Sequence, residues 1–207
     1  MKATQLPGCD DAPMAKPVIV EWQPRWADEF AEIRDRLADS FGDRALAIEH
    51  IGSTSVPGLA AKDVIDVQVS VASLEPYEPI LAALASAGMT EVAYDPPADD
   101  HVPPGWYVYE PSDVWVKLFA SSPPGERRVH VHVRKAGSPN ERYALLFRDF
   151  MRAHPDARDA WAIFKTELAR IADDTQDYVE VKDPATDVVI VVAERWAAET
   201  GWTPQLS

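Results

Sequence analysis

The chain has 207 residues, with 34 acidic against 20 basic side chains and a formal charge of −14. Such a balance excludes a surface built for general nucleic-acid or anionic-membrane binding, which needs cations against phosphate. A single cysteine, Cys9, rules out an internal disulfide, and no apolar run approaches the roughly 20 residues of a membrane span or forms a signal-peptide centre, so a cytoplasmic protein is expected.

Residues 1–17 carry Pro7, Pro13 and Pro17 among small and polar side chains, too little apolar surface to offset ordering entropy, and are expected as a flexible tail before one domain over 18–207. Val18-Ile19-Val20 suits a short strand. Pro24 then opens a helix whose apolar residues Phe30, Ile33, Leu37 and Phe41 recur at three- and four-residue steps until Gly42. Two strands follow, Leu46 to Ile51 and the β-branched run Val64 to Val71, separated by GSTSVPGLAAK. A second helix is predicted after Pro79 and ends at Gly88, and DPPADDHVPPG is a loop. Strands are predicted at Trp106 to Tyr109, Val114 to Phe119 and RVHVHV. Ser138-Pro139-Asn140-Glu141 has the pattern of a capping box in front of Leu145, Leu146, Phe147 and Phe150. Pro155 starts a helix carrying Trp161, Phe164, Leu168 and Ile171, and Asp183-Pro184 is taken as the start of a third, with Val188, Val192 and Trp196. This order predicts an α+β fold, a mixed sheet flanked by helices with a helical C-terminal part.

Chemistry concentrates in two places. Gly52 at a strand end, followed by Ser53, Thr54 and Ser55, offers close backbone approach, N–H groups and hydroxyls suited to phosphate oxygens, although a polar turn containing glycine would look the same. It is not a Walker loop, because G-x-x-x-x-G-K-[ST] is absent. Thirteen positions on, Asp66 lies among branched apolar residues, where a carboxylate must be paired, hydrogen-bonded or bound to metal. Asp66 and Gln68 share one strand face, as do His130 and His132.

The run HIGSTSVPGLAAKDVIDVQVSV, with FRDFMRAHP and the later Lys165, Leu168 and Lys182, resembles the GrpB family of small bacterial proteins, over roughly residues 18 to 200. A relative of that family is fused behind dephospho-CoA kinase in some bacteria. The resemblance implies the nucleotidyltransferase fold of the DNA polymerase β superfamily, in which a Gly-Ser turn precedes an acid, an apolar residue and a second acid that hold Mg²⁺ or Mn²⁺. Gly52-Ser53 and Asp66-Val67-Gln68 fall on those positions. The second acid is thus a neutral amide, which adds no charge to a two-metal clamp. A proline expected after Lys62 is replaced by Asp63.

The resemblance also makes RVHVHV the candidate for a third ligand strand. His130, His132 and Asp66 would form a two-His, one-carboxylate set suited to zinc, iron or manganese, whereas alternating histidines facing water or packing across strands would need no metal. Residues 127–158 hold eight basic side chains against three acids, a local excess of five that a small anionic ligand could use, or that i,i+4 pairing could consume. From these, Arg148, with Lys62, Lys117 and Lys182 elsewhere, is a candidate phosphate contact. Three readings follow. One is a metal-dependent protein that binds a nucleotide or other phosphorylated small molecule and transfers a nucleotidyl group to a small acceptor, with Asp66 and Ser53 as its central residues and Asp66, Gln68, His130 and His132 as the metal-side positions. Another is a binding or regulatory module of the same fold, and the third is a mononuclear metal hydrolase.

Overall fold

The computed structural model describes residues 16–92, 97–104 and 114–204. Most of the expected N-terminal tail and the strand expected at Trp106 to Tyr109 lie outside these. Helix α1 (Arg25–Phe41) starts after Pro24 and ends at Gly42, whose φ of 53° closes the last turn. Strands β1 (Ala45–Ile51) and β2 (Ile65–Val71) flank a single 3-10 turn at Ser53–Ser55. Helix α2 (Tyr77–Ser86) is followed by the two-residue strands β3 (Glu91–Val92) and β4 (Ala98–Asp99), then β5 (Val116–Ser121) and β6 (Val129–Lys135). Helices α3 (Pro139–Ala153), α4 (Pro155–Ile171) and α5 (Thr175–Thr200) complete the chain.

The sheet is mixed and runs β1-β2-β6-β5-β3, with β4 also on β5. Among the described residues only β2 and β6 pair in parallel, placing Asp66 beside His130 and Gln68 beside His132. Alternation along the strands sorts residues between two layers. Val67, Val69, Val71, Leu118, Ala120, Val129, Val131 and Val133 face α1 and α2, packing on Trp26, Ile33, Leu37, Phe41, Ile80 and Leu84. On the opposite face, α3 covers Gln68 and Ser70 through Glu141, and leaves Asp66 at the open end of the same row. A second apolar cluster, Val56, Leu59, Leu146, Phe147, Phe150, Met151, Trp161 and Ile190, ties the 56–59 segment to α3, α4 and α5.

Four local expectations are corrected. Val18-Ile19-Val20 makes a lone bridge, Val20 with Ala61, and Pro17, assigned to the tail, is buried. The last helix does not start at Asp183-Pro184. It starts at Thr175, where the Asp174 carboxylate accepts from the N–H groups of Gln176 and Asp177, and Pro184 lies inside it. A strong cap nine residues earlier, with tertiary packing on both sides, outweighs the one backbone hydrogen bond that proline removes. The Ser138 motif is no capping box either: Ser138 turns its hydroxyl to Asn140 Oδ1, while Glu141 accepts from the Gly137 N–H (2.6 Å) and the Ser70 hydroxyl.

Candidate functional site

Between the Gly52–Ser55 turn, β2, β6 and helices α3 to α5 lies a cleft of about 430 Å³. Gly52, Ser53, Thr54, Lys62, Asp66, His130, His132 and Lys182 line it, together with Lys165 and the aromatic wall of Tyr143, Phe147, Trp161 and Tyr178. The turn and the aspartate thus line the same cleft.

Local structure explains how. Gly52 has a φ of 69°, open to glycine, and lies against Asp66: a Cβ built on it would stand 2.4 Å from Asp66 Oδ2. Ser55 closes the turn by donating its hydroxyl to Gly52 O (2.6 Å), and Arg152 donates two hydrogen bonds to Ser55 O. The one hydroxyl proton of Thr54 goes to Val64 O (3.1 Å), so His50 must donate to Thr54 through Nε2 (3.0 Å). His50 is buried against Phe30, and burial lowers its pKa to about 4, which keeps that ring neutral. Of the three hydroxyls, those of Thr54 and Ser55 thus hold the turn together, and that of Ser53 faces the cleft.

Ser53 accepts from Lys165 Nζ (2.9 Å), whose ammonium also donates to Ala60 O (2.5 Å). Lys165 is 2% exposed, and burial, reinforced by the neighbouring Lys182 and Lys62, lowers its pKa from 10.5 to about 7. Burial also lowers Lys62, which lies over the Tyr178 ring at 5.4 Å. For Asp66, burial works to raise the pKa, but the contact with His130 (Nδ1 to Oδ1, 3.3 Å) and the nearby Lys62 prevail and leave it below the ordinary value. Asp66 is the one acidic residue lining the cleft among the described residues.

Other candidates are used elsewhere. Gln68 is fully buried, its Oε1 accepting from Arg134 (2.7 Å) and its Nε2 donating to Glu141 O (3.4 Å). Lys117 and Arg134 both bind Asp100 (2.6 and 2.8 Å), whose pKa they hold far below the carboxylate range against the opposing effect of burial. Arg148 is buried between Glu49 (2.6 Å) and Asp149 (2.7 Å). Neither Lys117 nor Arg148 lines the cleft. The basic stretch 127–158 is largely consumed in this way: Arg127 holds Asp63 and Glu29, Arg142 holds Glu194, and Arg152 and Arg158 hold carbonyls of Ser55 and Pro57.

As metal donors the residues fit poorly. Asp66 is a single carboxylate with one oxygen toward His130 and the other beneath Gly52, and both ends of the Gln68 amide are engaged. His132 has a buried Nδ1 without a hydrogen-bond partner among the described residues, and burial, then Arg134 and Lys117, lower its pKa and keep the ring neutral, but those two cations repel a metal ion. No group of three His, Cys, Asp or Glu side chains among the described residues is placed to hold a metal. Asp66, His130 and His132 therefore do not assemble as the mononuclear set, nor Asp66 with Gln68 as a two-metal clamp.

Lys165 is the residue that site reasoning passed over. Its signal was present: it stands between Trp161 and Leu168 at helical spacing, a lysine on the apolar stripe of α4.

An α+β chain with a mixed sheet and a lysine-lined cleft at one sheet end is thus the class defined by fold and site. The GrpB protein family model matches residues 16–191, and the chain belongs to that family. A UPF0157 protein of Streptomyces coelicolor is 36% identical over 181 residues, 87% of this chain and 84% of that protein. A dephospho-CoA kinase of Mycolicibacterium paratuberculosis is 36% identical over 196 residues, 90% of this chain and 48% of that protein. The chain thus spans about half the length of that relative. The crystal structure of the conserved protein GrpB from Enterococcus faecalis is similar with a TM-score of 0.66 and 26% identity, covering 90% of this chain and all of that one. Among the described residues no helix is long and apolar enough to cross a membrane.

Proposed function

We propose that the chain binds a phosphorylated small molecule of nucleotide size in this cleft, as a binding module of the nucleotidyltransferase superfamily that does not transfer a nucleotidyl group. The observation that carries this reading is the buried ammonium of Lys165 on the Ser53 hydroxyl, in a cleft also lined by Lys62 and Lys182 and by one carboxylate. Ammonium groups crowded in a partly dry cleft gain from an anion, because local potential and desolvation rather than net charge decide the interaction. The aromatic wall of Tyr143, Phe147, Trp161 and Tyr178 suits the flat, apolar part of such a ligand. The superfamily assignment rests on the Gly52-Ser53 turn set against Asp66 on the adjoining strand. The name of the mycobacterial relative, dephospho-CoA kinase, agrees with a phosphate-bearing ligand.

Transfer chemistry is disfavoured at Gln68, where the second metal-side acid would stand and where Arg134 and Glu141 instead hold an amide. Titration calorimetry with a panel of nucleoside triphosphates and monophosphates, alongside an assay for pyrophosphate release with Mg²⁺ or Mn²⁺, tests the proposal. Binding that weakens in Lys165→Met, without release, is expected. Release that depends on Asp66 would replace this reading with the transferase one.

A further inference from the structure

We infer that this cleft takes its phosphate-bearing ligand without a divalent cation, Lys62, Lys165 and Lys182 supplying the positive charge that a metal pair would otherwise bring. The inference rests on the binding reading above and concerns how the ligand's charge is met.

Four observations converge. Among the described residues the cleft is lined by Lys62, Lys165, Lys182 and Arg134, the last two paired with Asp183 and Asp100, and by one carboxylate, whereas a two-metal clamp needs several carboxylates and tolerates few fixed cations. That carboxylate is already engaged, with His130 at one oxygen and the Gly52 backbone packed over the other. The amide at the second position is locked by Arg134 and by the Glu141 carbonyl, so it cannot turn toward an ion without leaving a buried guanidinium short of a partner. Lys165, finally, is buried with only neutral oxygens as hydrogen-bond partners, Ser53 Oγ and Ala60 O. A buried ammonium lacking a carboxylate partner is costly, and an incoming phosphate oxygen would relieve it. The lowering of the Lys165 pKa to about 7 by burial, Lys182 and Lys62 is the same cost seen by titration.

In this arrangement Asp66 is a counter-charge to the lysines in the empty cleft, not a ligand to metal. Its removal then acts on anion binding with opposite sign in the two cases. Neutralising a counter-charge tightens binding of an anion, whereas neutralising a metal ligand abolishes it.

The test uses the full chain, with inorganic pyrophosphate and ATP as probes, titrated calorimetrically in EDTA and again with Mg²⁺. Binding in EDTA that Mg²⁺ does not tighten, a loss of about tenfold in Lys62→Gln and in Lys182→Gln, and unchanged or tighter binding in Asp66→Asn are expected. Binding that requires Mg²⁺ and disappears in Asp66→Asn overturns the metal-free inference and leaves the pocket assignment standing. Failure of both probes to bind in either condition overturns both. If Asp66→Asn does not fold, the comparison of EDTA with Mg²⁺ in the native chain and the Lys182→Gln result decide the matter, since the Lys182 side chain is partly exposed and its loss leaves the core intact.

Discussion

Gly52 and Asp66 touch: a methyl group on the glycine would stand 2.4 Å from the aspartate's Oδ2, so the turn and the carboxylate form one unit of the cleft. The positive φ of 69° adds its own demand for glycine. Gly52→Ala must then strain the backbone and push Asp66 off His130. We expect a loss of about 1–3 kcal/mol, read from the denaturation midpoint, together with altered anion affinity in the protein that remains folded. A neutral result would mean that the turn has room to move.

Arg148 gives the opposite pattern. Its guanidinium and the Glu49 carboxylate are both buried, and Asp149 and the His50 carbonyl take the other donors. Removing the guanidinium takes a charged partner from two carboxylates, one of them buried, so Arg148→Ala is expected to cost about 3–5 kcal/mol in unfolding free energy. Because Arg148 does not line the cleft, ligand affinity measured below the unfolding transition should stay within error of the native value. A selective loss of affinity with intact stability would return Arg148 to the binding site.

The Asp100 cluster makes a similar prediction at the other end of the sheet. Lys117, Arg134 and Asn140 all converge on this carboxylate. Asp100→Asn leaves the buried Arg134 and the half-buried Lys117 facing each other, and about 3 kcal/mol of stability should be lost. Arg134 also holds Gln68, so the Gln68 amide should gain mobility, visible as broadening of its side-chain NMR resonances. Retained stability would show that the cations reach water in the variant.

The elements near the cleft were legible because each is signalled locally. The 3.6 period of α1, the β-branched run of β2 and the glycine of the turn are properties of short windows, and the Asp66 to Gly52 juxtaposition follows once β1 and β2 pair. Arg148 and Lys117 were illegible for a complementary reason. A cation's role depends on which carboxylate it meets, and Glu49 lies 99 residues from Arg148, while Asp100 is 17 from Lys117. The continuous α5 through Pro184 was missed for the same cause. Proline marks a helix start by local preference, but the Asp174 cap and the packing of Tyr178 and Ile190 carry the helix across it. Lys165 could have been found, because a charged residue on an apolar helical stripe calls for a buried partner.

That same lysine sets a pH dependence whose sign is fixed. Burial, then Lys182 and Lys62, lower its pKa from 10.5 to about 7 against the pull of Asp66, the facing carboxylate. Between those two values the unfolded chain holds a proton that the native chain has released, so this group makes stability rise with pH across the window, and below it contributes no slope. Lys165→Met keeps the bulk and removes the titration. The native chain's unfolding free energy, relative to that of Lys165→Met, should therefore climb from pH 7 upward, by at most about 1.4 kcal/mol per pH unit. A phosphate oxygen bound beside Lys165 reverses the shift, so near pH 8 ligand binding should take up a proton. Calorimetry in two buffers of different ionisation enthalpy reads this directly, as a buffer-dependent heat present in the native chain and absent in Lys165→Met. Equal heats in both buffers would place the Lys165 ammonium away from the bound anion.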